Sequence, residues 1–195
     1  MSSPSNQGAG AKPTKDNSNG VKELEKMLDE SPSPDRVSTK LAQILNVARN
    51  EVAVLRLEKG CLRFVFPPEL RAAGMIPVSS SAVAARTAAT GTSLLSNSFA
   101  RVKHVSLFES VKLGANKDEN QASEQLPIQK IMSVPVSQPG GKVVGVIQVS
   151  RKGLDSSLAG GDFTSEDLKR LEQAAAVLAR MPFMEEGTPI GESAS

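Results

Sequence analysis

Residues 128–152 read IQKIMSVPVSQPGGKVVGVIQVSRK, and residues 163–178 read FTSEDLKRLEQAAAVL. The first segment sets two apolar runs on either side of Gln138-Pro139-Gly140-Gly141, a tight-turn sequence. The runs are nearly continuous in apolar residues, which predicts a central hairpin covered on both faces. Gly145 interrupts the second run and marks a close approach by a neighbour. In the second segment Thr164 caps a helix, Asp167 reciprocates, and Phe163 and Leu168 staple its start. Leu168, Leu171, Ala175 and Leu178 make one apolar stripe, and Pro182 stops the helix.

Outward from this hairpin and helix, the pattern continues toward the N-terminus. Ser93–Ser96 predicts a short strand. Before it, SSSAVAARTAATG predicts an Ala-rich helix capped by Ser80 or Ser81, running through Ala89 and stopped by Gly91. The serines have two readings: hydroxyls and free N–H groups offered to an anion, or turn and capping chemistry alone. EVAVLRLE over Glu51–Glu58 and CLRFVF over Cys61–Phe66 form a hairpin about Lys59-Gly60. Ser33 caps a helix with Pro34 at its first position and Val37, Leu41, Ile44, Leu45 and Ala48 on one stripe, and Val21–Glu30 adds a shorter helix. Asn97–Leu126 is an irregular connection with apolar and basic residues interleaved. It is read either as a segment clamped onto the sheet or as a lid over a pocket. The resulting division is a disordered polar tail over 1–20, a short helix and linker over 21–35, a folded body over 36–182, and a disordered tail over 183–195.

Composition closes off several function classes. Six Phe with no Trp or Tyr leave few stacking platforms for single-stranded nucleic acid, and a net charge of +2 gives no strong field for polyanions. One cysteine, Cys61, excludes an internal disulfide and a cysteine-based metal cluster, and one histidine, His104, excludes a multi-histidine site. No metal and no catalytic residue is predicted. No leader-like apolar stretch and no span of membrane length is evident, so a cytoplasmic location without membrane or nucleic-acid partners is expected.

The order of helix, hairpin, Ala-rich helix, long connection, hairpin and capped helix predicts an α+β fold. An antiparallel sheet of five or six strands carries the N- and C-terminal helices on one face and the helix and loop on the other. Over residues 36 to 182 the sequence resembles the GAF family of small-molecule sensor domains. IPVSSSAVAARTAATGTSLLSN, IMSVPVSQPGGKVVGVIQV and FTSEDLKRLEQAAAVLA carry the resemblance in order. The family's Asn-Lys…Phe…Asp-Glu signature is matched by Lys152, Phe163 and Asp167, whereas Arg151 and Leu168 depart from it. The resemblance implies that Lys152 and Asp167 form a structural clasp between the last strand and the last helix. It also implies a sensory or regulatory role through an unidentified small ligand, a homodimer through the terminal helices, or both. The alternative is a pure interaction module with no ligand. Ser79, Ser80, Phe99, His104, Phe108, Met132 and Gln148 are the expected pocket residues, and the cofactor is unassigned. Members that reduce free methionine sulfoxide use several cysteines, so the single Cys61 leads to the expectation that the chain is not an enzyme.

Overall fold

The computed structural model describes residues 18–101 and 126–190. Six strands form one antiparallel sheet: β1 Val52–Glu58, β2 Cys61–Phe66, β3 Met75–Pro77, β4 Leu94–Ser96, β5 Ile128–Ser137 and β6 Val143–Lys152. Their order across the sheet is β3-β2-β1-β6-β5-β4. The helices are α1 Ser18–Met27, α2 Pro34–Leu45, α3 Val83–Thr90 and α4 Ser165–Leu178. The expected α+β architecture is the one observed, and β5 and β6 lie inside the sheet with strands on both sides.

Strand alternation assigns each inward side chain to one of two layers. Val52, Val54, Met132, Val134, Val136, Ile147 and Val149 pack against Leu41 and Leu45 of α2 and Leu171 and Leu178 of α4. Ala53, Leu55, Leu62, Phe64 and Val146 point the other way and meet Ala84, Ala85 and Ala88 of α3. The small side chains let α3 lie close to the sheet. Gly145 sits under two neighbours: a Cβ there would stand 2.3 Å from both Leu55 O and Met184 Cε.

The caps decide where the helices start and stop. Ser33 accepts from Arg36 N at 3.3 Å, and Thr164 and Asp167 form the reciprocal box that opens α4. Gly91, at φ +63°, ends α3 with its N–H on Thr87 O. The expected serine cap on α3 is absent. The N-cap is Ala82 with no side-chain bond, because Ser80 is drawn into the turn leaving β3, where its N–H meets Pro77 O. Buried apolar side chains also lie on both sides of residues 36–182. Leu24 of α1 is fully buried, and Phe183 and Met184 are buried beyond Pro182, so these apolar side chains belong to the core although their surroundings are polar in sequence. Among the described residues no helix is long and apolar enough to cross a membrane.

Candidate functional site on the α3 face of the sheet

The α3 face is mostly aliphatic, with one polar cluster set into it. Ser133 of β5 lies directly opposite Gln148 of β6 in the strand register, and both are buried. Buried Thr87 of α3 comes down on the same point: its Oγ1 is 2.8 Å from Ser133 Oγ, and Gln148 Nε2 donates to Ser133 Oγ at 3.4 Å. Three polar side chains removed from water carry a desolvation cost that three aliphatic ones would not. Ser133 is their common partner. Ser133→Val is expected to strand the Thr87 hydroxyl and the Gln148 amide and to cost about 1–3 kcal/mol in urea unfolding. Adding Thr87→Val to it is expected to cost less than the two single changes summed, since the pair then disappears together.

Beyond this triad, Phe99, Ile128, Ile131 and Val83 form a small apolar cluster with Leu94 beside it. A polar cleft of about 180 Å³ follows, lined by Asn97, Ser98, Ala100, Gln129, Ser156 and Asp162. Asn97 is fixed by two bonds to Phe163, donating to its O and accepting from its N–H, each at 2.9 Å. A larger cleft of about 400 Å³ lies elsewhere, between the two hairpin turns and the C-terminal segment. Its rim carries Lys59, Lys142, Glu185 and Glu186. Charges of both signs on an open rim select no ligand class, and the triad's polar groups are buried and bonded to one another.

The expected pocket residues are divided by the fold. Gln148 is in the triad and Phe99 in the adjoining cluster. Ser79 is exposed, and the Ser80 hydroxyl is buried with no partner among the described residues. Met132 is not at this face. It shares the alternation of Val134 and Val136 and packs under the terminal helices, so its neighbour Ser133 takes the place expected for it. His104 and Phe108 lie outside the described residues. Ser133 and Thr87, which the fold sets beside Gln148, are not among the expected pocket residues. The hairpin register about the Pro-Gly-Gly turn, which sets Ser133 against Gln148, was the signal for the first.

The expected clasp residues do not come together as a pair. Asp167 turns its carboxylate back to Thr164 N and Oγ1, both at 2.8 Å, and meets Arg170 at 3.3 Å. Lys152 Nζ donates to Asn50 O at 3.0 Å, and its N–H to Glu51 Oε1 at 2.8 Å. The nearby cap donor, three residues away, captures the carboxylate first. The tie between the sheet and the start of α4 is made by other cations. Lys130 Nζ donates to Gly160 O at 2.6 Å and to Asp162 at 2.8 Å, and the Arg151 guanidinium stacks 4.8 Å over buried Phe163.

Burial lowers the pKa of Lys152 from 10.5, and the Glu51 charge offsets part of that fall. In the window just below 10.5 the unfolded chain therefore holds a proton that the folded chain has released. Stability is expected to rise with pH there and to lose that rise in Lys152→Met. Denaturant melts across the alkaline range check it.

Solved structures place this scaffold. The GAF domain of an Acinetobacter phosphoenolpyruvate-protein phosphotransferase is similar with a TM-score of 0.61 at 13% identity, covering 86% of this chain and 92% of that one. The GAF domain of the Coxiella burnetii phosphoenolpyruvate-protein phosphotransferase gives 0.62 at 8% identity, covering 85% and 91%. Free methionine-R-sulfoxide reductase from Neisseria meningitidis, solved with its substrate, gives 0.53 at 15% identity, covering 85% and 87%. This last likeness overturns the expectation that the chain is not an enzyme: the scaffold itself carries catalysis in other proteins, so membership in the fold is no argument against it. No curated protein matches the sequence. The GAF domain model matches residues 35–181, most of the chain, covering the whole sheet, α3, α4 and all but the first residue of α2, and the chain belongs to the GAF domain family.

Proposed function

We propose that this chain is a cytoplasmic sensory or regulatory module that holds a small molecule on the α3 face of the sheet. Thr87, Ser133 and Gln148 supply the polar contacts, and Phe99 and Ile131 the apolar wall. GAF domains are typically sensory or regulatory ligand-binding modules. The observation that carries the reading here is the polar triad itself. Aliphatic side chains would hold α3 to the sheet at lower desolvation cost, whereas an amide and two hydroxyls in an apolar wall can orient a ligand. The ligand class is a small, mostly apolar molecule with at least one hydrogen-bonding group. The bound state is passed through the layer of α1, α2 and α4 on the opposite face, to a second copy or to a downstream partner.

Thermal melts against a panel of metabolites test the site. A true ligand at a hundredfold excess over its Kd is expected to add about 2.7 kcal/mol of stability, and Tm rises accordingly. Gln148→Met is expected to lose most of that rise while keeping a cooperative melt. A compound that raises both melts equally contradicts the placement of the site.

A further inference from the structure

Lys130 of β5 and Arg151 of β6 stand directly opposite each other in the strand register. Side chains so placed start about 4.5–5.5 Å apart, and like charges there repel. Both belong to the face of the terminal helices, since they alternate with Met132 and Val149, which pack in that layer. Lys130 is buried, and its Nζ meets Gly160 O and Asp162. Arg151 is half-buried and stacks on Phe163. Among the described residues its guanidinium has no hydrogen bond and no ion pair, and its Nε is shut off from water with no partner.

Two cations therefore share one carboxylate, and the Asp162 side chain is 68% exposed. A surplus positive charge drawn part of the way out of water is costly unless an anion answers it. The surplus comes from Arg151, which stands where the family signature has an asparagine. The surroundings leave an anion a way in. Arg151 Nη1 lies against the loop that leads into α4: a Cβ at Gly160 would stand 3.2 Å from it, whereas a Cβ at Gly161 would meet nothing within 4 Å. Stacking on Phe163 holds the guanidinium in place, so its planar set of donors is set before a ligand arrives.

We propose that Arg151, backed by Lys130 and flanked by Gly160 and Gly161, binds a singly charged oxyanion, the carboxylate or phosphodiester group of a small molecule. The charge count selects the class. One negative charge balances the surplus, and a second would face Asp162 without a cation of its own. Arg151 donates through its Nη groups, and Lys130 supplies charge from beneath. The bound anion ties the end of β6 to the loop entering α4. This face is the one opposite the polar triad, so the inference stands or falls apart from the triad reading.

Nuclear magnetic resonance titration of the full chain with acetate and with dimethyl phosphate, at fixed ionic strength, tests it. Saturable shifts are expected at the Gly160, Gly161 and Asp162 amides and at the Arg151 Nε–H. Arg151→Asn restores the signature residue and is expected to fold and to weaken binding about tenfold or more. Asp162→Asn removes the competing charge, keeps an acceptor for Lys130, and is expected to tighten binding about two- to fivefold. Lys142→Gln, on the distant cleft, is expected to bind as the wild type does. Saturation by one probe alone assigns the site to that group. Shifts that never saturate with either, equal binding by Arg151→Asn, no gain in Asp162→Asn, or a loss in Lys142→Gln as large as that in Arg151→Asn overturns the proposal.

Discussion

Gly145→Val is expected to yield no soluble folded protein. Gly145 is buried in β6, paired with Arg56 of β1 on one side and Val136 of β5 on the other. A Cβ at this position meets Leu55 O and Met184 Cε, each at 2.3 Å. Met184 has a flexible end and can move aside. Leu55 O belongs to a central strand and cannot move without disturbing the ladder. Overpacking in a close-packed core typically costs about 1–3 kcal/mol and more where backbone must shift. Gly145→Ala is therefore expected to lose about 3 kcal/mol in urea unfolding, and Val more. Pairing Gly145→Ala with Met184→Ala is expected to recover only the part of the loss that Met184 causes.

Arg56→Ala ranks next. Arg56 is buried in β1, yet it reaches the chain's far end. Its Nη1 donates to Phe183 O at 3.0 Å and to Thr188 O at 2.8 Å, and its Nη2 pairs with Glu58. Glu58 in turn meets Arg63 at 3.1 Å. One side chain thus pins the segment after α4 along the edge of the core. Removing it leaves two carbonyls without their charged donor and Glu58 with Arg63 alone, which is expected to cost about 3 kcal/mol or more. Arg56 Nε is buried with no partner among the described residues, so the native arrangement is itself not fully satisfied. Arg56→Met keeps the apolar stem and is expected to lose less. In both variants a Glu-specific protease is expected to cut at Glu185 and Glu186 faster than in the wild type, because the segment detaches before the sheet unfolds.

The parts legible in the sequence were those fixed by local chemistry. The Pro-Gly-Gly turn set the hairpin, the Thr164–Asp167 box set the start of α4, and Gly91 set the end of α3. The close approach at Gly145 was also legible, since a glycine inside a continuous β-branched run has few other uses. What misled was the assignment of faces. A strand apolar on both sides gives no alternation to read, so Met132 and Ser133 were interchangeable until the register was known, and that register shifts at irregularities near Ile128/Lys130 and Val136/Ser137. Thr87 was hidden because an Ala-rich helix shows no polar stripe. The Lys152–Asp167 clasp gave way to the cap, where a backbone donor three residues from Asp167 needs no long-range closure. Phe183 and Met184 were lost in a polar average taken over the residues beyond Pro182.

The central claim is that the polar triad under α3 holds a small molecule. Native mass spectrometry of the wild-type chain and of Gln148→Met, each purified from the protein's own host, tests it most directly. The account predicts a non-covalent adduct of small-molecule mass on the wild type that Gln148→Met lacks. A wild-type chain at its bare mass, or the same adduct on both proteins, would contradict it.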